Sequence, residues 1–231
     1  MADQHNSNIP AVGNQISADI PDIKENLEWH QDCFQKICNS YNASSLTSMG
    51  FVTTIWVSAT AMLGTSTNGA SPGLNEYATN DIIRAYYAFD GTTEQFVGFD
   101  VVMPEGWNRS TVTAKFYWSS ATGSTTGDTV EWEIGGIALS NTDTLDTAIG
   151  TAITVSDATT ADNGTDLQVS AATAAITVGG TPALGDLVHY KVSRNVAGTD
   201  DMTEDAWLFG VLIQVVETFP DYSGTNAITA W

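Results

Sequence analysis

The stretch "VTAKFYWSSATGSTTGDTVEWEI", residues 112–134, decides the fold class. Large apolar side chains occupy every second position from Val112 to Trp118, and again from Val130 to Ile134. A period of two is typical of half-buried β-strands, because successive side chains of a strand point to opposite faces. The ten residues between the runs, 119–128, are almost all Ser, Thr, Gly or Ala. They predict a hairpin between two core strands, with an exposed and flexible tip.

The same alternation recurs along the chain after residue 50. It predicts that a further set of side chains is buried: Val97, Phe99, Val101, Met103, Val188, Tyr190, Val192, Trp207, Phe209, Val211, Ile213 and Val215. More strands are predicted near 51–63, 82–89, 151–155 and 174–178, which brings the total to about eight or nine. No helix-length segments alternate with them. The predicted fold is therefore mainly β, a jelly-roll-like antiparallel β-sandwich over residues 50–231.

The first fifty residues have a different pattern. Residues 1–20 are rich in Asn, Gln, Ser and Ala, which predicts an extended N-terminal arm that orders only against a partner. Residues 21–48 form the predicted helical segment, because apolar side chains recur there at steps of three and four from Ile23 to Tyr41. This helix is equally suited to packing on its own domain or to bundling with other copies of the chain.

Composition narrows the classes of partner. The chain has 231 residues and 42% hydrophobic content, and its 27 acidic residues against 7 Lys and Arg give a formal charge of -20. Such a field repels phosphate backbones, so we expect no nucleic acid as a partner. The longest apolar stretch, 51–63, is too short to span a bilayer, and no membrane partner is expected. The N-terminus lacks the features of a secretory signal, which predicts synthesis in a cytoplasm.

Candidates for catalysis are few. His189 is the one plausible general base, with Asp186 and Ser193 near it in sequence, but it lies on the outward face of its predicted strand. A surface histidine is the favoured interpretation. Glu131 and Glu133 share an outward face, as a glycosidase carboxylate pair would, yet such i, i+2 pairs are common in strands. We therefore expect no catalytic residue.

Metal and cofactor sites are also not expected. Cys33 and Cys38, with His30, lack a fourth zinc ligand. Calcium suits the sequence better, because oxygen ligands gather in "DATTADNGTD", residues 157–166, and in "DDMTED", residues 200–205. Neither stretch has the spacing of a twelve-residue calcium loop, so ordinary turns are the favoured interpretation and bound calcium the alternative.

Aromatic residues offer a further kind of site. Trp118, Trp132 and Trp207 fall on faces predicted to be buried. Of the four other tryptophans, Trp29, Trp56, Trp107 and Trp231, the last two are the freer candidates for a platform on which a sugar ring stacks.

Several stretches carry a family resemblance, among them "RAYYAFDGTTEQFVGFDVVMPEGWNRSTVTAKFYW", "GTPALGDLVHYKVSR" and "DAWLFGVLIQV". Pro104 and Trp107, placed ahead of "VTAKFYW", are part of it. Over about residues 82–217 the chain resembles a β-sandwich domain of tailed-bacteriophage virion proteins. The resemblance implies one of three roles: a head decoration protein, a cement protein or a fibre-like protein. It carries no active-site residues.

Two functions are therefore predicted. In the first, the protein is a capsid decoration or cement protein, and residues 1 to about 50 contact the major capsid protein, other virion proteins or further copies of the chain. The residues expected to make this contact have no evident core of their own: Ile9, Ile16, Ile20, Ile23, Leu27 and Trp29. A homo-oligomer is expected, with a trimer favoured, on the outer surface of a virion built in a host bacterial cytoplasm. The alternative is a tail or head fibre protein whose sandwich binds a host-surface receptor or glycan through loop tips and free aromatics such as Trp107.

Overall fold

A computed structural model describes residues 50–160 and 166–218. The predicted arm, 1–20, and the predicted helix, 21–48, lie outside the described residues. So do the six residues proposed for partner contact, namely Ile9, Ile16, Ile20, Ile23, Leu27 and Trp29. No helix in the described part of the chain is long and apolar enough to cross a membrane.

The described residues form eleven strands and one turn of 3-10 helix, Ala59–Ala61. The strands are β1 (Gly50–Ser58), β2 (Leu63–Gly64), β3 (Ser71–Tyr77), β4 (Ile82–Phe89), β5 (Phe96–Val102), β6 (Thr113–Ser120), β7 (Thr129–Leu139), β8 (Ile153–Ala158), β9 (Gln168–Val169), β10 (Leu187–Arg194) and β11 (Ala206–Thr218). They pair antiparallel in two sheets, so the predicted jelly-roll-like antiparallel β-sandwich is confirmed.

One sheet has six strands and the other five. The six-stranded sheet runs β3-β4-β11-β6-β9, with β1 also paired to β11. The five-stranded sheet runs β2-β5-β10-β7-β8. From β4 to β7 each successive strand lies in the opposite sheet, so the chain crosses the sandwich repeatedly. Residues 51–80 contribute β1, β2 and β3 to the two sheets.

Strand β11 is the longest and organises the six-stranded sheet. Strand β6 occupies one of its edges from Ala206 to Gln214. Its other edge is shared, because β4 pairs with residues 206–208 and β1 pairs with residues 210–218. The junction between β4 and β1 therefore falls at Phe209.

The core lies between the sheets and is set by the alternation of side chains. Most of the side chains predicted to be inward are buried: Val97, Phe99, Val101, Met103, Val112, Ala114, Phe116, Trp118, Val130, Trp132, Ile134, Val188, Tyr190, Val192, Val211, Ile213 and Val215. Trp132 is central, stacked on Phe116 with ring centroids 5.4 Å apart and edge-on to Phe89 at 5.2 Å. Burial of this aromatic cluster is a large apolar contribution to stability.

The predicted hairpin over residues 112–134 is wrong. Strand β6 pairs with β11 and β9 in one sheet, whereas β7 pairs with β10 and β8 in the other. The loop between them passes from sheet to sheet. Alternation fixes which side chains are buried but not which strands are neighbours, because pairing depends on the rest of the chain.

The loop is not a free tip either. Ser124 is buried, and its hydroxyl lies 2.6 Å from that of Ser120. The Ala121 amide donates to the Asp205 carbonyl at 2.8 Å, and the Thr159 hydroxyl donates to the Thr125 carbonyl at 2.6 Å. The loop is therefore anchored at these points, while its residues Thr122, Gly123, Thr125, Thr126 and Gly127 are exposed as predicted.

Other strand predictions need smaller corrections. The stretch near 51–63 divides into β1, the 3-10 turn and β2. Strand β3 was not predicted. Residues 174–178 are not a strand; Ile176 forms an isolated bridge to Val112 and is fully buried, so the segment still contributes to the core.

Candidate functional site

A groove of about 430 Å³ opens on the outer face of the six-stranded sheet. We call it the aromatic groove. It lies over the junction of β1, β4 and β11, and further lining residues come from the β3–β4 hairpin, β6, the loop before β9 and the bulge of β11. Its lining residues are Trp56, Tyr77, Asn80, Ile82, Arg84, Tyr117, Leu167 and Phe209. Most of this lining is aromatic or aliphatic, with an amide, a guanidinium and two phenol hydroxyls as the polar groups.

Trp56 is the most prominent side chain of the groove. It is 48% exposed, on the outward face of β1 beside the buried Val57. A Cβ atom on Gly210 would lie 2.4 Å from the Trp56 ring, so the ring lies over that glycine. The edge of the Tyr117 ring meets it at a centroid distance of 4.9 Å and an interplanar angle of 82°. Trp56 is thus held in place by two neighbours while much of its surface stays open.

Phe209 reaches the groove because of a β-bulge. The register of β11 against β6 shifts between Leu208 and Gly210, which makes Phe209 the extra residue. A bulge changes the parity of a strand and re-aims side chains. Leu208 is therefore buried, and the prediction that Trp207 and Phe209 point inward is wrong.

Trp207 lies on the same outer face as the groove but does not line it. Its ring is stacked on Tyr86 at a centroid distance of 4.6 Å and an angle of 20°. Tyr86 in turn lies over Gly73, where a Cβ would come within 2.4 Å of the ring. In this second aromatic pair the two rings cover each other, whereas much of the Trp56 ring remains open to solvent.

The outer face of the five-stranded sheet holds Glu131, which the loop after β10 covers. Its carboxylate accepts hydrogen bonds from the Asn195 amide at 2.5 Å, the Thr199 hydroxyl at 2.7 Å and the Thr199 backbone amide at 3.1 Å. Burial works against ionisation, but these hydrogen bonds and one from Ser156 outweigh it and lower the pKa of Glu131. Glu131 is a structural acceptor that holds the loop.

Glu133 does not form a catalytic pair with Glu131. Burial raises the pKa of Glu133, and the nearby charge of Glu94 adds to the shift. The Glu131 oxygens are occupied by the loop, so this carboxylate is not open to a ligand.

The residues around His189 are not assembled into a triad. Its Nδ1 lies 2.7 Å from a carboxylate oxygen of Asp100 on the neighbouring strand β5, and both side chains are exposed, as the outward position predicted. Ser193 is buried, and Asp186 accepts a hydrogen bond from Ser140 at 2.8 Å. The sequence neighbours of His189 therefore serve other contacts.

The acidic stretch 200–205 anchors the loop between β10 and β11. Asp200 forms a bidentate ion pair with Arg194, with nitrogen to oxygen distances of 2.7 and 2.8 Å, and both side chains are almost fully buried. Arg194 also donates to the carbonyls of Phe89, Met202 and Glu204. In the described part of the chain, no cluster of three or more His, Cys, Asp or Glu side chains is placed to hold a metal ion.

The stretch 157–166 is described only at its two ends. The Trp118 indole donates to an Asp157 carboxylate oxygen at 2.8 Å. Burial raises the pKa of Asp157, although this hydrogen bond opposes the shift. Asp166 contributes its carbonyl oxygen to the Ser119 hydroxyl at 2.9 Å. Residues 161–165 lie outside the described residues.

Trp107 was one of the two tryptophans predicted to be free, and for Trp107 that prediction is wrong. It is 2% exposed, because the turn after Pro104 folds it against the core and its backbone bridges to Glu217. Trp231, His5, His30, Cys33 and Cys38 lie outside the described residues.

The sequence analysis did not single out Trp56, which carries the groove. A signal was present, since Val57 and Ile55 alternate with Trp56 in "FVTTIWVS" and a buried Val57 puts Trp56 outside. The groove itself joins residues from 56 to 209, and no local pattern brings these together.

The fold defines a β-sandwich of jelly-roll type, and comparison with known proteins adds only loose similarities. No protein-family model matches the sequence, and no curated protein matches it. Among solved structures, the family 11 carbohydrate-binding module of a cellulase from Clostridium thermocellum is 9% identical, covering 74% of this chain and 99% of that one with a TM-score of 0.40.

Two other solved structures are similar to the same degree. The xylan-binding domain from Xyn10C of Paenibacillus barcinonensis is 16% identical, covering 67% of this chain and 91% of that one with a TM-score of 0.39. A family 35 carbohydrate-binding module from Clostridium thermocellum is 11% identical, covering 70% and 97% with a TM-score of 0.37. At such values the ligands of these proteins are not transferred to this chain. None of these three is a phage protein, and the virion resemblance stays a prediction.

Proposed function

We propose that this protein is a carbohydrate-binding β-sandwich that holds an oligosaccharide in the aromatic groove. The observation that carries the proposal is Trp56, a large aromatic ring that is half exposed yet fixed by Gly210 and Tyr117. An exposed aromatic that is held in one orientation loses little conformational entropy when a ligand packs on it.

The lining of the groove suits a sugar. A pyranose ring has apolar C–H faces and a rim of hydroxyl groups, so it needs flat apolar surfaces with polar groups at their edges. Trp56, Phe209 and Tyr117 provide the apolar surface, and Asn80 and Arg84 provide donors and an acceptor. A volume of about 430 Å³ lies in the range of small-ligand sites and accommodates a short oligosaccharide segment.

The proposal is for binding without catalysis. The described carboxylates whose pKa is raised, Glu133, Asp157 and Asp205, do not line the groove. Burial is the main cause of all three shifts. A ligand bound at Trp56 would therefore meet no general acid among these residues.

The cement-protein prediction depended on the chain before residue 50, which lies outside the described residues. The virion location, the trimer and the contact with a major capsid protein therefore stay predictions from the sequence. A glycan-binding sandwich corresponds to the alternative prediction, a fibre protein with a receptor-binding head. That prediction assigned the aromatic contact to Trp107, whereas the proposal assigns it to Trp56.

A glycan array probed with the full-length protein tests the proposal. We expect binding by the wild type and a loss of at least tenfold in the Trp56→Ala variant. The control is Leu74→Ala, which removes an exposed apolar side chain outside the groove, and it should bind as the wild type does. Thermal unfolding of all three proteins shows whether the variants are folded. No binding by the wild type, or equal binding by folded Trp56→Ala, would overturn the proposal.

A further inference from the structure

The basic residues of this acidic protein are unevenly placed. Of its 7 Lys and Arg against 27 Asp and Glu, the described part of the chain contains Arg84, Arg109, Lys115, Lys191 and Arg194. Arg194 is buried in its ion pair, and Lys191 belongs to the five-stranded sheet. Arg84 and Lys115 both lie on the outer face of the six-stranded sheet. A molecule with a formal charge of -20 thus places two of its few cations on the face that carries the groove.

The same face has no acid on its described strands. The two carboxylates in strands of this sheet, Glu76 and Glu217, both have the opposite parity. Glu76 adjoins the groove residue Tyr77, and Glu217 follows the buried positions Ile213 and Val215 at steps of two. Asp81 and Asp166 precede two lining residues in sequence but do not line the groove themselves. The described strands of the outer face therefore carry two cations and no carboxylate in a molecule that is acidic overall, and the nearest acids, Asp81 and Asp166, lie in the bordering loops.

Arg84 has the position and the freedom to bind a ligand. It is exposed, lines the groove beside Asn80, and has no hydrogen bond or ion pair in the described structure. The planar guanidinium presents paired N–H donors that match the two oxygens of a carboxylate. By contrast, Arg194 has all its donors directed at protein acceptors.

Lys115, on β6, adds to the positive electrostatic potential of this face. It pairs in register with Leu212 of β11, and Leu212 pairs with Trp56 of β1. Two strand spacings place Lys115 about 10 Å from the β1 backbone at Trp56. At physiological ionic strength this is close to the Debye length of about 8 Å, so Lys115 acts mainly through screened attraction.

From these placements we infer that the groove selects oligosaccharides that carry a carboxylate, such as those containing uronic or sialic acid. The inference rests on the proposed function and specifies its ligand class. The sugar ring packs on Trp56 and the carboxylate pairs with Arg84. A neutral sugar leaves the Arg84 donors to water and gains less from the field.

A glycan array with matched pairs tests this. It carries oligogalacturonates beside their methyl esters, sialylated glycans beside their asialo forms, and sulfated glycans. The proteins are full-length wild type, Trp56→Ala, Arg84→Gln and the control Lys191→Gln, which removes one charge on the other sheet. We expect the carboxylate member of at least one pair to bind at least tenfold better than its neutral partner. That preference should fall about tenfold in Arg84→Gln and persist in Lys191→Gln.

The outcomes separate the two proposals. If both members of each pair bind equally and Trp56→Ala still abolishes binding, the carboxylate inference is wrong while the proposed function stands. Binding confined to sulfated glycans, or a preference that Arg84→Gln leaves intact, also overturns the inference. Absence of all wild-type binding removes the proposed function and the inference with it.

Discussion

The outer faces of the two sheets of this sandwich differ in how far the protein's own loops cover them. On the five-stranded sheet, the chain closes part of the outer face with its own loops: residues 195–199 cover Glu131, and the segment around Gly150 packs against Gly135. On the six-stranded sheet, the outer face carries two aromatic pairs and a groove in which Trp56 stays half exposed.

This difference predicts that residues on one outer face contribute to stability and residues on the other contribute to ligand binding. On the five-stranded sheet, the polar groups of Glu131, Arg194 and Asp200 are satisfied within the protein, so their loss should cost stability. Aromatic and basic groups around the aromatic groove have donors and surfaces still open, so their loss should cost binding. Three substitutions on the five-stranded side sharpen the comparison, because each should change stability without changing ligand binding.

The largest effect is expected from Asp200→Ala. This substitution leaves the Arg194 guanidinium buried without its carboxylate, and breaking a buried ion pair costs about 3–5 kcal/mol. Denaturant unfolding measures the change. Asp201→Ala is the control, since Asp201 is exposed and accepts one hydrogen bond, from the Thr129 amide at 2.6 Å. It should cost about 1 kcal/mol. Equal effects of the two substitutions would show that the ion pair does not anchor the loop.

Glu131→Gln should have an intermediate effect that depends on pH. The side-chain amide cannot replace all the hydrogen bonds that the carboxylate accepts, so about 1–3 kcal/mol of stability should be lost at neutral pH. Hydrogen bonding lowers the pKa of Glu131 in the folded state below its ordinary value of 4.5. The stabilisation is therefore present above pH 4.5 and lost as the pH falls through the folded-state pKa.

Thermal unfolding of wild type and Glu131→Gln between neutral pH and about pH 3 measures this dependence. The difference between the two proteins should shrink as the pH falls below 4.5. Carboxylates that Glu131 does not influence, such as Asp157 and Asp205, titrate in both proteins and cancel in the difference. Glu133 does not cancel fully, because the charge of Glu131 contributes to raising its pKa. A difference that stays constant down to the lowest pH would contradict the assigned role of the carboxylate.

The smallest effect is expected from Asp100→Ala. The Asp100 and His189 side chains are 55% and 39% exposed, and an exposed contact of this kind, which is an ion pair only when the imidazole is protonated, contributes about 1 kcal/mol or less. Denaturant unfolding at low and high salt should show a change of that size, and less of it at high salt. A loss as large as that of Asp200→Ala would mean that the outer face of the five-stranded sheet depends on this pair.

Local alternation was enough to predict the core. Trp118, Trp132 and Tyr190 are buried because each lies in an unbroken strand whose neighbours repeat every two residues. The same rule failed at Trp207 and Phe209, where a bulge shifts the parity of β11, and the isolated Gly210 was its only local sign.

Features that depend on the whole chain were not predictable. The stretch 112–134 contains two true strands, but their partners come from distant segments, so the hairpin was wrong. Trp107 is buried by a turn and by contact with β11, both remote from its own alternation pattern. The aromatic groove likewise exists only because β1 and β4 meet on one edge of β11.

The central claim is that an acidic oligosaccharide binds at Trp56. The most direct test is a titration of the full-length protein, labelled with 15N at tryptophan, with the best carboxylated glycan of the array. The indole N–H resonance of Trp56, assigned with Trp56→Phe, should shift or broaden, while those of the buried Trp118 and Trp132 should stay in place. A bound glycan that leaves the Trp56 resonance unchanged would contradict the account.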